Sequence, residues 1–348
     1  MPNRVFLLHG MGFHPADWHK DTSAFLEDFV ARHGDLGGFA VGDFFKFVPL
    51  EYDSVFRTYL QTLKTRTQEL ANVRQMMQVM PGSAPTDWVD RLVDWGNKVP
   101  GTEDNFAWSH AFDVILYRFM PSLRFEIHAH LAQQIQAEIS GMASNERWSI
   151  IAHSLGTAVC HDLCHRWFTA NIGGLQLGLH ERPNVLLMLA NVSRIVQNDI
   201  KVLESTVRPG QACTRYLTTL HRLDPFTLLR PFDPVAWPPD PAERSRYALF
   251  EVKHVYQANI HDLLHYLRHP DVVISLFRAL GTDGFIPPDK EAAYRAEFRD
   301  ANPLSEAQLV DLTNWLSDLR EGRFVPPPKM PALVAAYKPI FDFLGRLT

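Results

Sequence analysis

Trp148 to Cys164, WSIIAHSLGTAVCHDLC, decides how the rest of the chain is read. Ser149-Ile150-Ile151-Ala152 is an apolar run of the kind found in a strand covered on both faces. Thr157, Ala158 and Val159 onward suit a helix packed on a sheet. Between them lies a very tight turn at Ser154. For a serine to expose its side chain at a strand-to-helix corner its backbone must be strained, so the residues two before and two after it must be small. Here they are Ala152 and Gly156.

Ala152-His153-Ser154-Leu155-Gly156 resembles the nucleophile elbow of the α/β-hydrolase superfamily, whose usual pattern is Gly-x-Ser-x-Gly; alanine replaces glycine in the first slot. The start of the chain carries a second likeness. Arg4 to Leu8 is an apolar strand running into His9-Gly10-Met11-Gly12, followed by a helical pattern from Pro15 to Arg32. In the superfamily an HGxG segment after the first core strand supplies one backbone N–H of the oxyanion hole, and the residue after the nucleophile supplies the other. The resemblance thus implies Met11 and Leu155 as the donors.

The superfamily orders its catalytic groups as Ser, acid, His, with the last two in loops after later strands. Thr214 to Leu220 reads as a strand that ends just before Asp224, and Ala248 to Tyr256 as a last strand followed by His261. Asp224 and His261 are therefore the expected acid and base. Asp233 lies further from a strand end, in a Pro-rich loop. His254 falls inside the predicted last strand, and His265 and His269 fall in or beyond the final helix. Asp262 reads as a first-turn helix carboxylate, and His153 as structural.

Strands are also expected at Phe45–Tyr52 and Asn184–Ala190, with a crossover helix over Asp113–Ser140 that starts irregularly at Pro121. Alternating strands and helices imply an α/β fold with a mostly parallel, doubly wound sheet. The resemblance makes it α/β-hydrolase-like over residues 1–285, with a helical insertion at about 53–110 and a C-terminal helical extension over 286–348. Within the insertion, Val55, Tyr59, Leu63, Leu70, Val73, Met77 and Met80 recur at helical spacing. Met76, Met77, Met80, Trp88 and Trp95 would suit either plain core packing or a lid over an apolar site. In the tail, helices are expected from Ser305 to Arg320 and from Ala332 to Leu347, available for docking or for a homo-oligomer contact.

A net charge of -5 and the lack of a basic run give no footprint for nucleic acid. No stretch is long and apolar enough to span a bilayer. Residues 1–9 lack the pattern of a signal peptide, and Cys160, Cys164 and Cys213 are too few for a disulfide framework. A soluble, cytoplasmic protein is expected. Cys160, His161, Cys164 and His165 lie at i, i+4 spacing, but structural zinc usually draws on ligand pairs separated by a loop. Neither metal nor cofactor is expected. The resemblance implies a serine hydrolase acting on a small carboxylic ester with an apolar acyl chain, in the manner of a carboxylesterase or lipase. A thioesterase or amidase would use the same triad, and a silent hydrolase-like fold would serve only as a binding scaffold.

Overall fold

The strands that read most plainly in the sequence lie at the centre of the sheet. The structure, a computed structural model, describes residues 2–10, 14–65, 113, 114, 116–143, 145–169, 182–197, 206–221, 224, 226, 227, 231, 232, 237, 245–255, 260–281 and 284–300. Its six strands are β1 (Asn3–Leu8), β2 (Phe45–Leu50), β3 (Trp148–His153), β4 (Val185–Leu189), β5 (Arg215–His221) and β6 (Tyr247–Val252). They form one all-parallel sheet in the order β2-β1-β3-β4-β5-β6. This is an α/β fold.

Two hydrophobic cores, one on each face, explain the apolar runs Val5–Leu8, Ile150–Ala152 and Val185–Leu189 in the central strands. Phe6, Leu8, Ile150, Ala152, Leu186 and Met188 face one core. The alternate residues Val5, Leu7, Ile151, Val185, Leu187 and Leu189 face the other. Side chains of a strand point alternately to the two faces, so burial on both sides demands an unbroken apolar run. Helices α3 (Asp53–Thr65), α4 (Pro121–Ile139) and α5 (Leu155–Thr169) pack on the first face. Helix α1 (Lys20–His33) packs on the second, after which the chain passes through the short α2 (Val41–Phe44) into β2.

The chain leaves β1 for β2 on one side and later returns to add β3 on the other. The β1/β3 boundary is therefore the switch point, the place in such sheets where loops beyond the strands' carboxyl ends diverge. His9-Gly10 and Ser154 both lie there.

Several boundaries differ from the sequence reading. The last strand ends at Val252 rather than Tyr256, because β5, its only neighbour among the described residues, ends at the paired residue His221; His254 consequently lies outside the strand. The expected helix over 113–140 is broken at Met120, which is extended (φ -111°, ψ 90°) ahead of Pro121, since a residue before proline is pushed out of the helical region. The tail begins with an unexpected helix. After the short α6 (Ser193–Val196), α7 (Leu263–Leu267) and α8 (Pro270–Leu280) comes α9 (Pro288–Asp300). Its one buried aromatic, Tyr294, packs edge-on against Phe29 of α1. Its other faces carry ion pairs such as Arg295 with Glu291 and Asp271, which hid the amphipathic pattern.

The insertion is described only through Thr65, so Met76, Met77, Met80, Trp88 and Trp95 lie outside the described residues, as do 301–348. No helix among the described residues is long and apolar enough to cross a membrane.

Helix α5 meets β1 at Gly156. A β-carbon there would sit 2.3 Å from the His9 carbonyl oxygen and 3.0 Å from that of Leu8, so backbone would have to separate from backbone. Gly156→Ala is expected to lower unfolding free energy by roughly 2–3 kcal/mol, read by urea denaturation. Gly141→Ala, where a β-carbon meets nothing within 4 Å, should stay within about 0.5 kcal/mol of the parent.

Candidate active site

At the end of β3 the backbone of Ser154 turns into the left-handed region, with φ 52°, and α5 begins at the next residue. The turn is held by its own hydrogen bonds. The Ser154 N–H donates to the Leu189 carbonyl at the end of β4 (3.0 Å). Its carbonyl accepts from the Thr157 N–H (2.8 Å) and hydroxyl (2.6 Å). Ala190, just past β4, is the other described non-glycine residue at positive φ (48°), and its N–H donates to the Thr219 hydroxyl.

His261 reaches Ser154 from beyond β6. Its Nε2 lies 2.7 Å from Ser154 Oγ and its Nδ1 lies 2.6 Å from Asp224 Oδ2. An ionised carboxylate only accepts, so Nδ1 carries the proton and Nε2 accepts from the serine hydroxyl. Asp224 sits in a tight turn after β5, with its N–H donating to the His221 carbonyl (3.1 Å). The Tyr266 hydroxyl also donates to Oδ2 (2.5 Å), and the Phe226 N–H donates to Oδ1 (2.9 Å). Burial pushes the Asp224 carboxyl up. Its electrostatic attraction to His261, with the bonds from His261, Tyr266 and Phe226, outweighs it and holds the group below the usual carboxylate range. The Phe226 ring lies 4.4 Å from the imidazole.

The structure thus brings Ser154, Asp224 and His261, the three residues chosen from the sequence, into one hydrogen-bonded chain. Leu155 is the first residue of α5, where N–H groups have no carbonyl partner within the helix. Met11 and Asp233 lie outside the described residues. Asp262 is the N-cap of α7 and accepts from the Leu264 and His265 N–H groups. His153 Nε2–H donates to the His261 carbonyl (2.7 Å), tying the His261 backbone to the end of β3.

Other participants carried no sequence signal. Tyr266 is 42 residues from Asp224, and Tyr52 donates from its hydroxyl to the Gly10 carbonyl (2.6 Å). A β-carbon on Gly10 would come within 2.8 Å of Ser154 Cβ, so the His9-Gly10 backbone lies directly against the serine. In the Cys/His stretch of α5, His161 is hydrogen-bonded to Tyr216 and His165 to Thr206. The Cys160 thiol is pushed up by its contact with Cys164 and by burial.

Neither a protein-family model nor a curated protein matches the chain. Among solved structures, an uncharacterized protein from Pseudomonas aeruginosa aligns at 9% identity and a TM-score of 0.34, over all of this chain and 60% of that one. The chain therefore spans less than two thirds of that protein's length, and a likeness at this level supports no inference about fold or function.

Burial holds several imidazoles neutral. His9 and His269 are lowered to about 4 and His161 and His265 to about 3, in each case chiefly by desolvation. Between those values and 6.5 the unfolded chain binds more protons than the folded one, so acid favours unfolding. Asp53, raised to about 6 mainly by burial, acts in the opposite sense, one group against several. Stability should be full above about pH 6.5 and fall steadily toward pH 4. Each histidine contributes at most about 1.4 kcal/mol per pH unit. Urea midpoints across that range check this; a flat profile would mean these imidazoles protonate without unfolding.

Proposed function

We propose that the chain is a serine hydrolase of the α/β-hydrolase type that cleaves a carboxylic ester through an acyl-enzyme. The observation that carries this reading is the Ser154–His261–Asp224 chain, joined at 2.7 and 2.6 Å on a serine held at positive φ. In this mechanism His261 Nε2 takes the hydroxyl proton as Ser154 Oγ forms a bond to the acyl carbon. The tetrahedral oxyanion collapses, and the leaving alkoxide takes the proton from His261. Water then attacks the acyl-serine, giving up its proton to the same nitrogen, and the acid leaves with Ser154 restored.

Asp224 keeps the imidazole in the Nδ1–H tautomer and stabilises the imidazolium that forms. Under this reading the Leu155 N–H, at the head of α5, would be one donor to the developing oxyanion, and the helix dipole would add to it. Met11 would supply the second donor. The acyl chain is expected to be apolar. Nothing in the mechanism requires a cofactor, and an ester, thioester or amide carbonyl would meet the same groups.

A fluorophosphonate probe should place one label on Ser154, absent in Ser154→Ala. A folded protein that takes no label would leave the hydrolase reading without support and favour a binding scaffold. Asp224→Asn should cut kcat on p-nitrophenyl esters by about 10³-fold or more, while Asp233→Asn should not. Tyr266→Phe removes one of three donors to Asp224, so a smaller loss of about tenfold is expected, with KM little changed.

A further inference from the structure

His9, His14 and Asp53 meet beside the proposed nucleophile, yet the acyl-transfer chemistry uses none of them. His9 follows the last residue of β1, and its Nδ1 lies 3.0 Å from the Gly10 carbonyl oxygen. A carbonyl only accepts, so Nδ1 carries the proton and Nε2 presents a bare lone pair. That nitrogen is buried, on a residue 2% exposed, and has no hydrogen-bond partner among the described residues. It faces Asp53 Oδ1 at 3.5 Å, and an ionised carboxylate oxygen is also an acceptor. Asp53 Oδ2 is already engaged, accepting the His14 N–H at 2.6 Å. The His14 ring lies 4.2 Å from the His9 ring.

Two acceptors turned toward each other in a buried site need a positive centre between them. A proton shared by Nε2 and Oδ1 would form a bond of about 2.7–3.0 Å, which 3.5 Å does not provide. Ligands at about 2.0–2.1 Å on a tetrahedral ion stand about 3.4 Å apart, close to the separation observed. One nitrogen from each imidazole and one carboxylate oxygen all lie within 4.8 Å of one another. Small side-chain rotations, chiefly of the half-buried His14, would complete the triangle.

We infer that His9, His14 and Asp53 form a three-ligand site for one divalent ion of the zinc class. Two imidazoles and one carboxylate suit zinc and its neighbours cobalt and nickel, rather than magnesium or calcium, which prefer all-oxygen shells. A fourth position remains for water. The supporting groups also fit: a ligating imidazole commonly donates its other N–H to a backbone carbonyl, as His9 does to Gly10, which fixes the tautomer. The site joins the segment leaving β1 to the first turn of α3. Because Gly10 lies against Ser154, a bound ion would tie His9 and His14 to Asp53 next to the proposed nucleophile. Nothing in this inference depends on the hydrolase reading, and its test reads metal rather than turnover.

The full chain, stripped with EDTA and titrated with Zn²⁺ by calorimetry, should bind one equivalent and gain thermal stability. Co²⁺ should give the intense visible bands of a tetrahedral ion. His14→Ala and Asp53→Asn should each weaken the equivalent by about 100-fold or more and abolish those bands, while His130→Ala, on a half-buried histidine of α4 beside Glu51, should keep both. Circular dichroism checks that the variants fold, and the cobalt spectrum of the unaltered protein stands even if one does not. Less than one equivalent bound, an octahedral cobalt spectrum, or tight binding retained by both His14→Ala and Asp53→Asn would overturn the site.

Discussion

Ser154 holds a backbone conformation that costs an L residue about 1–3 kcal/mol, and the surrounding structure is arranged to keep it there. Its N–H is tied to β4 through Leu189 and its carbonyl to Thr157. The Thr157 hydroxyl in turn accepts the Val192 N–H from the turn after β4. Gly156 and Gly10 then let two backbones come closer than any side chain would allow. The strain, the missing β-carbons and the sheet order are one constraint. The serine can be presented at the switch point only if α5 leaves β3 almost on top of the end of β1.

Burial gives the chain of polar groups behind that serine its character. Asp224 is fully buried and Ser154 and His261 are nearly so. An unpaired carboxylate in such a place would be costly and would tend to protonate. Three donors from separate parts of the chain, on His261, Phe226 and Tyr266, prevent this. The charge is thereby fixed on the far side of the imidazole from the serine, which sets the imidazole's tautomer without any choice left to solvent. His153 works on the backbone instead, fixing the carbonyl of His261.

How much of this was legible in the sequence follows from how local each signal is. β1, β3 and β4 read clearly because burial on both faces forces an unbroken apolar run. β6, at the sheet edge, exposes much of its length, and its end is set by where β5 stops, which no local pattern records. Ser154 was visible through the small residues its turn requires, and Asp224 and His261 through their places after strands. Tyr266 and Tyr52 were not, because each acts through one hydroxyl on a group far away in sequence. Asp53 and His14 were equally hidden: an acid at a helix start and a lone histidine after a strand are ordinary until the fold brings them within reach of His9. The helix α9 was missed for the opposite reason, since its surface charges masked the two aromatics that dock it, Tyr294 on Phe29 and Phe298 on His254 and His269.

The sheet order also bears on how the protein is made. β1 pairs with β2 in the first fifty residues, but its other edge waits for β3, where Arg4 is the partner of Trp148. At about 5–20 residues per second that partner is synthesised roughly 7–30 seconds after the strand that needs it. Through that interval an apolar strand edge beside the His9-Gly10 turn stays unpaired, the kind of edge that invites association with other chains. The segment between, which includes α3 and α4, is also what is being translated then. Both helices end up on the face of the sheet that α5 later completes. Both are therefore available to cover that face of the sheet on the nascent chain before the Ser154 turn exists.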